Sequence, residues 1–228
     1  MARLGLVSAC AGVAILLWAG TVWIWQDPFT ALYTTYEQHR LAGQYAGRAA
    51  TFNVPTHGAT DTARLAAIAA AARRYRLESH PGEAMGTIDV SRLGLHHMVL
   101  VDGTDESSLE KGPGIYRGDY LPGEHELVYI AGHRTTFLAP FAQINELRPG
   151  DRIAIAMPYG RFVYQVTGSR IVAATDLAVL QTKQHDELVL QACHPRFFAT
   201  HRYLAYAKLV EVAPTGARPI TGPILSQA

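Results

Sequence analysis

The sequence has 228 residues, enough for one ordinary domain with additional segments and a sizeable hydrophobic core. Its 20 lysine and arginine residues nearly balance 19 aspartate and glutamate residues, which leaves a formal net charge of +1. Because the charges also form no long run of one sign, the sequence lacks the basic footprint of nucleic-acid binding, and we expect no nucleic-acid partner.

The N-terminal segment, residues 4–25, contains no charged side chain. As a helix it would measure roughly 33 Å, against a hydrocarbon core of about 30 Å. Arg3 precedes the segment and Asp27 follows it, so the positive-inside rule places the N-terminus in the cytoplasm and the rest of the chain outside the cell. Residues 1–26 are therefore predicted to be a short cytoplasmic N-terminus and a single-pass transmembrane signal anchor. Bulky aromatic residues at the end of the segment argue against a cleaved signal peptide.

The next region, residues 27–83, is predicted to be a helical stalk or linker. One helix starts near Pro28, and Gly and Pro signals over residues 53–60 interrupt it. A second, alanine-rich helix follows with Asp61 as its predicted N-cap, and it ends in arginines that complement the helix dipole.

From residue 84 to residue 213 the sequence changes to short β-rich runs separated by glycine and proline signals. About seven or eight such runs lie within about 130 residues, with only short helical inserts, which favours a mainly β closed barrel or a sandwich. Residues 214–228 contain three prolines and little periodicity, and they are predicted to form an irregular C-terminal tail.

Two predicted strands end in reactive side chains: "YIAGHRTT" contains His133, and "LVLQACHP" contains Cys193. The other cysteine, Cys10, lies in the predicted anchor, so Cys193 has no partner within the chain and is a candidate reactive thiol. A thiol is activated by a nearby imidazole and a positive field. Arg202, nine residues after Cys193, supplies a positive charge that also suits an acyl-transfer oxyanion.

These motifs resemble the sortases, membrane-anchored cysteine transpeptidases of Gram-positive bacteria, and they are most similar to class E of actinobacteria. Three further stretches share the resemblance: "WQDPFTALYTTYEQ" (25–38), "KGPGIYRGDYLPGE" (111–124) and "GHRTTFLAPFAQINELRPGD" (132–151). The resemblance implies a closed eight-stranded sortase-type β-barrel with N-terminal helices and a membrane anchor. It implies no cofactor.

The resemblance also implies a reaction. Cys193 would attack the carbonyl between threonine and glycine of an LAxTG- or LPxTG-like C-terminal sorting signal and form a thioacyl enzyme. His133 would protonate the leaving glycine amine. Arg202 would hold the substrate carbonyl and the oxyanion. The implied partners are secreted proteins bearing the signal and, as acceptor, an amine of peptidoglycan or its precursor.

Five residues close to this triad in the sequence are predicted to contact substrate. They are Thr135, Phe137, Ala192, His194 and Phe197. The chain departs from the family pattern at Val189 and Ala192, where many sortases carry threonine, so the usual motif preference is not implied. Ile115 also stands where a histidine is expected, which puts one local polar contact in doubt. The connection over residues 173–187 is expected to shape substrate specificity.

Four alternative interpretations remain open. A zinc site is conceivable from Cys193, His194, His201 and His185, although the spacing matches no zinc motif. "QAC" matches the start of the caspase pattern, but Pro195 replaces its glycine. A third alternative is a non-catalytic envelope-binding module in which Cys193 is buried in the core. Finally, "DPF" at 27–29 resembles a lid of pilin-polymerising sortases, although the start of a juxtamembrane helix is the favoured interpretation.

Overall fold

The computed structural model describes residues 2–24, 28–54, 60–181 and 185–226. Helices precede and interrupt a single β-sheet. The helices are α1 (Ala2–Ile24), α2 (Pro28–Thr51), α3 (Asp61–Glu78) and the short α4 (Glu106–Leu109). The strands are β1 (Ala84–Val90), β2 (Leu95–Asp102), β3 (Gly114–Ile115), β4 (Leu127–Ala131), β5 (Arg152–Met157), β6 (Gly160–Ala173), β7 (Glu187–His194), β8 (His201–Pro214) and β9 (Ile220–Thr221).

The sheet closes on itself. Its strand order is β6-β5-β1-β2-β3-β4-β7-β8, and an additional antiparallel pairing of β6 with β8 joins the two ends. The pairs β2–β3 and β4–β7 are parallel, and the other pairs are antiparallel. The predicted closed eight-stranded barrel is thus confirmed, and the two-residue strand β9 is added to the end of β8.

Strand β7, "ELVLQACH", shows how the sequence pattern places side chains on the two faces of the barrel wall. Alternate side chains of a strand point to opposite faces. Leu188, Leu190 and Ala192 belong to the main hydrophobic core and are fully buried. Val189 belongs to a separate, smaller cluster, so the intervening residues, among them Cys193, lie on the other face.

The two helices of the predicted stalk pack against the barrel. On α3, Leu65, Ile68 and Tyr75 join the main core of the barrel, and Leu41 of α2 packs with residues of β1 and β2. Thr60, rather than the predicted Asp61, is the N-cap of α3, and its hydroxyl accepts from the Ala63 backbone N–H at 3.3 Å.

The C-terminal segment is more ordered than the sequence predicted. Strand β8 continues to Pro214, and β9 pairs with it. Ile220 and Leu225 are buried and belong to the main core. The expectation of an irregular tail was therefore wrong for much of the described part, because two apolar side chains there find space against the barrel wall.

Helix α1 covers most of the predicted membrane anchor. Its apolar side chains, including Leu6, Leu16 and Trp18, are exposed. In the described ranges no helix combines the length and the apolar character that crossing a bilayer requires.

The packing of α3 predicts the effect of a core substitution. Ile68 is 0% exposed, whereas Leu77 on the same helix is 70% exposed. Truncating a fully buried isoleucine removes apolar contacts and leaves a cavity, so Ile68→Ala should lower the free energy of unfolding by about 2–5 kcal/mol in urea denaturation. The matched control Leu77→Ala should change it by less than about 0.5 kcal/mol. Equal effects of the two substitutions would contradict the packing of α3 on the barrel.

Candidate active site

The parallel pairing of β4 with β7 brings two of the predicted catalytic residues to one level. Ala131 is in register with Gln191, and the Gly132 N–H continues the pairing by donating to the Gln191 carbonyl at 3.0 Å. His133 follows Ala131 by two residues, and Cys193 follows Gln191 by two residues. Because parallel strands advance together, both reactive side chains lie at the carboxyl end of this pair.

The antiparallel pairing of β7 with β8 adds the third residue. Cys193 is directly opposite Arg202. Opposed residues of antiparallel strands point to the same face, with Cβ atoms about 4.5–5.5 Å apart. The Arg202 Nη1 donates to the carbonyl oxygens of Ala199 at 2.8 Å and His201 at 3.0 Å. These bonds hold the guanidinium beside the loop over residues 195–200, which joins β7 to β8.

His133 lies in a desolvated setting. Its Nε2 atom is buried and has no hydrogen-bond partner among the residues that the structure describes, and its ring centre is 5.0 Å from that of Phe137. Burial lowers the pKa of His133 below its usual 6.5, and the carboxylates of Glu110 and Glu106 partly oppose this shift. A neutral imidazole with an unpartnered Nε2 is suited to accept a proton from a thiol and then donate it.

A buried arginine, Arg134, links the loop after His133 to the end of β7, and sequence patterns did not identify it. Arg134 is 6% exposed. Its Nη1 donates to the Cys193 carbonyl at 3.2 Å and to the His194 Nδ1 at 3.0 Å. The only signal for it is its position in "GHRTT" next to His133, and arginine side chains are mostly exposed, so the sequence does not predict a buried role.

The remaining nitrogens of Arg134 bind the loop that follows His133. Nη2 donates to the Asn145 Oδ1 at 2.6 Å, and Nε donates to the Ala142 carbonyl at 3.3 Å. One guanidinium thus connects this loop with the end of β7. The rigid fork of donors in arginine suits such bridging, which a single ammonium does not reproduce.

His194 is engaged in this network. Because Arg134 has no acceptor, the His194 Nδ1 must accept the hydrogen bond, which places the proton of the neutral ring on Nε2. Burial, followed by the charges of Arg134 and His201, lowers the pKa of His194. Its predicted contact with substrate stays a prediction, and any such contact would be made through Nε2.

Ala192 was predicted to contact substrate, and the structure places it elsewhere. Its side chain is 0% exposed and belongs to the main core. Strand alternation directs it to the opposite face from Cys193. The buried side chain does not favour this contact, which stays a prediction.

The other three predicted contact residues lie on the two loops beside the triad. Thr135 and Phe137 follow His133 and are half-buried. Phe197 lies in the loop between Cys193 and Arg202, is 43% exposed, and has the Arg196 guanidinium 5.7 Å from its ring centre. Contact of these side chains with substrate stays a prediction.

A buried apolar cluster lies on the Cys193 face of the barrel. Its members come from β4, β6, β7 and β8, namely Leu127, Tyr129, Val172, Val189 and Leu204. The Tyr129 hydroxyl donates to the Gln191 Oε1 at 3.3 Å. Val179 and Leu180, from the connection over residues 173–187, pack on this cluster. Residues 182–184 of that connection lie outside the described residues.

The zinc alternative does not fit this geometry. His185 precedes β7, whereas Cys193 lies near its end, and the six residue steps from Glu187 to Cys193 alone span about 20 Å of strand. Within the part of the chain that the structure describes, no group of three or more His, Cys, Asp or Glu side chains is placed to hold a metal ion.

Comparisons with known proteins point to one family. The sequence-family model of the sortase domain matches residues 88–210 of this chain. The chain is 30% identical over 205 residues to sortase D of Bacillus subtilis, covering 88% of this chain and 94% of that protein. A solved sortase E1 from Streptomyces coelicolor with a tripeptide in its active site is 25% identical, with a TM-score of 0.56 over 61% of this chain and 97% of that one. A Clostridium perfringens sortase D5 shares the fold, with a TM-score of 0.60, 21% identity, and coverage of 77% of this chain and 99% of that one.

The electrostatics of His133 predict a titration that NMR can measure. Burial favours the neutral ring, so His133 should titrate below 6.5 in the free protein. The Glu110 carboxylate raises this pKa, so Glu110→Gln should lower it further. Glu78→Gln, at the far end of α3, serves as the control and should leave it unchanged. A His133 pKa above 6.5, or an increase in Glu110→Gln, would contradict the desolvated site.

Proposed function

Because the chain belongs to the sortase family of cysteine transpeptidases, we propose that it cleaves an LAxTG- or LPxTG-like sorting signal between threonine and glycine. It then transfers the signal-bearing protein to an amine of peptidoglycan or its precursor. The observation that carries this proposal is the placement of His133, Cys193 and Arg202 at the ends of three adjacent strands.

The proposed reaction uses these three residues in turn. The Cys193 sulfur attacks the threonine carbonyl carbon as His133 accepts the thiol proton. Arg202 stabilises the oxyanion. Its Nη1 bonds to the loop between β7 and β8, and the guanidinium carries further N–H groups that can donate to the oxyanion. The carbon–nitrogen bond then breaks, and His133 donates the proton to the glycine amine. In the second half, the acceptor amine attacks the thioester, gives its proton to His133 and releases the Cys193 thiol.

A peptide substrate agrees with the surface beside the triad. Phe197, in the loop between Cys193 and Arg202, is 43% exposed, and Phe137, which follows His133, is half-buried, so both aromatic rings are accessible to an extended segment. The tripeptide in the solved sortase E1 is also consistent with this choice. We assign the chain to class E on the motifs at 111–124 and 132–151, and this assignment suggests an LAxTG- or LPxTG-like signal.

We also propose that the segment 4–25 anchors the chain in the cell membrane, with the N-terminus in the cytoplasm and the barrel outside. The proposal is supported by the absence of charge over this segment and by the exposed apolar side chains of α1. Sortases act at the cell envelope, where such an anchor would hold the enzyme.

Membrane attachment predicts a fractionation result. The full chain, expressed in a Gram-positive host, should sediment with membranes and resist extraction by high salt, and its barrel should be digested by protease added to intact protoplasts. A chain lacking residues 1–26 should remain in the soluble fraction, because the apolar segment is gone. Salt-extractable full-length protein, or a barrel protected in intact protoplasts, would contradict the anchor or its orientation.

The transpeptidase proposal predicts Cys193-dependent products. The full chain in detergent is incubated with LAxTG and LPxTG peptides, with and without amine nucleophiles, and the products are followed by mass spectrometry. We expect cleavage after threonine and, with an amine present, a product whose mass is that of the threonine-ended acid plus the amine minus one water. Arg202→Ala should lower kcat/KM by about 100-fold or more because the oxyanion loses its donor, while circular dichroism stays unchanged.

Cys193→Ala is the matched control for this panel and should abolish both products. Cleavage that persists in Cys193→Ala would exclude the thioacyl mechanism. No cleavage of any peptide by the folded wild-type chain would favour a non-catalytic envelope-binding domain instead. Near wild-type turnover in Arg202→Ala would remove the guanidinium from the proposed mechanism.

A further inference from the structure

The loop after His133 has an unusual backbone. Phe137, Leu138 and Ala139 all have positive φ angles, of 52°, 60° and 40°. Residues with a Cβ atom seldom adopt the left-handed region, and three in succession are rarer still. Such a segment persists only where surrounding contacts hold it.

One of these contacts comes from the start of α2. The backbone N–H of Phe137 donates to the Thr30 Oγ1 at 3.1 Å, across 107 positions of sequence. Leu138 also faces α2, since it lines a cavity of about 350 Å³ together with Thr35 and Gln38. Helix α2 therefore contacts Phe137 through Thr30 and shares the wall of this cavity with Leu138.

The helix is in turn tied to the barrel by polar side chains on the same face. Thr34, 0% exposed, donates to the Glu110 carbonyl at 2.7 Å. Gln38 donates to the carbonyls of Val99 at 3.0 Å and Lys111 at 2.8 Å, and its Oε1 accepts from the Val99 N–H at 2.7 Å. Thr30, Thr34 and Gln38 are spaced by four residues, so they line one face of α2. The Thr30 hydroxyl is thus presented from a fixed support.

The hydrogen bond between Thr30 and Phe137 is linked to His133 through the Phe137 ring. The two rings lie 5.0 Å apart between centres. The His133 carbonyl also accepts from the Phe141 N–H at 3.1 Å, which closes the loop around the left-handed segment. The Phe137 backbone position therefore decides where its ring packs against the imidazole.

We propose that Thr30 is a positioning residue for His133, whose hydroxyl accepts the Phe137 N–H and thereby holds the left-handed segment and its aromatic ring against the imidazole. The inference rests on the proposed transpeptidase function for its catalytic consequence. It gives the start of α2 a supporting role, whereas a lid at residues 27–29 would block the site. Asp27 of that segment lies outside the described residues.

The test compares three substitutions in the full chain. Thr30→Val keeps the shape of the side chain but removes the acceptor, and Thr30→Ser keeps the hydroxyl. Thr51→Val is the matched control, because the Thr51 hydroxyl is exposed and, among the described residues, bonds to the Gly47 and Arg48 carbonyls within the same helix. The two threonines are about 32 Å apart along α2.

Two readouts are measured for each variant. In Thr30→Val, NMR hydrogen exchange at the Phe137 amide should accelerate about tenfold or more as its acceptor is lost. The kcat for peptide transfer should fall about tenfold at an unchanged KM, because the imidazole is misplaced while the substrate surface is intact. Thr30→Ser should restore both values, and Thr51→Val should match the wild type.

The outcomes separate this inference from the proposed function. Unchanged Phe137 exchange in Thr30→Val would overturn the contact itself. Faster exchange with unchanged kcat, a rise in KM alone, or failure of Thr30→Ser to restore kcat would overturn the positioning role. Equal losses in Thr30→Val and Thr51→Val would reveal a general effect on α2 and would also overturn it. A wild-type chain without Cys193-dependent transfer would contradict the proposed function, and with it the catalytic part of this inference, while the exchange measurement still decides the contact.

Discussion

The pairing of β7 with a parallel strand on one side and an antiparallel strand on the other is the constraint on which the site depends. The parallel pair β4–β7 delivers His133 and Cys193 at one end of the barrel. The antiparallel pair β7–β8 sets Arg202 directly opposite Cys193. A shift of either register by one residue would turn Cys193 toward the opposite face from its partners, because side chains alternate along a strand. Barrel closure makes such a shift costly.

Buried polar groups then fix the loops that the strands leave open. Arg134 bonds to the Cys193 carbonyl, to His194 and to Asn145, so one side chain sets the distance between the two reactive loops. On the other side of His133, the start of α2 meets the left-handed segment through Thr30. These contacts leave the imidazole Nε2 unpartnered in a desolvated position. The helices that precede the barrel thus contribute to the site as well as to the core.

Much of this architecture follows from local sequence patterns. Alternating apolar residues, with glycine and proline between them, predicted most of the strands and a mainly β barrel or sandwich, and the resemblance to sortases implied the closed eight-stranded barrel. The motifs around His133 and Cys193, with Arg202 nine residues on, predicted a sortase and its triad. Thr60 rather than Asp61 caps α3, a difference of one residue that local chemistry alone does not settle, since both side chains are suitable caps.

The sequence by itself therefore determined the family, most of the strands and the three residues of the candidate triad, because periodicity and short motifs are local properties of the chain. The tertiary structure decided the burial of Ala192, the bridging by Arg134 and the contact of Thr30 with Phe137. Each depends on groups that are distant in sequence, such as the 107 positions between Thr30 and Phe137. Barrel closure and helix packing bring these groups together, and no local pattern records which of them will meet.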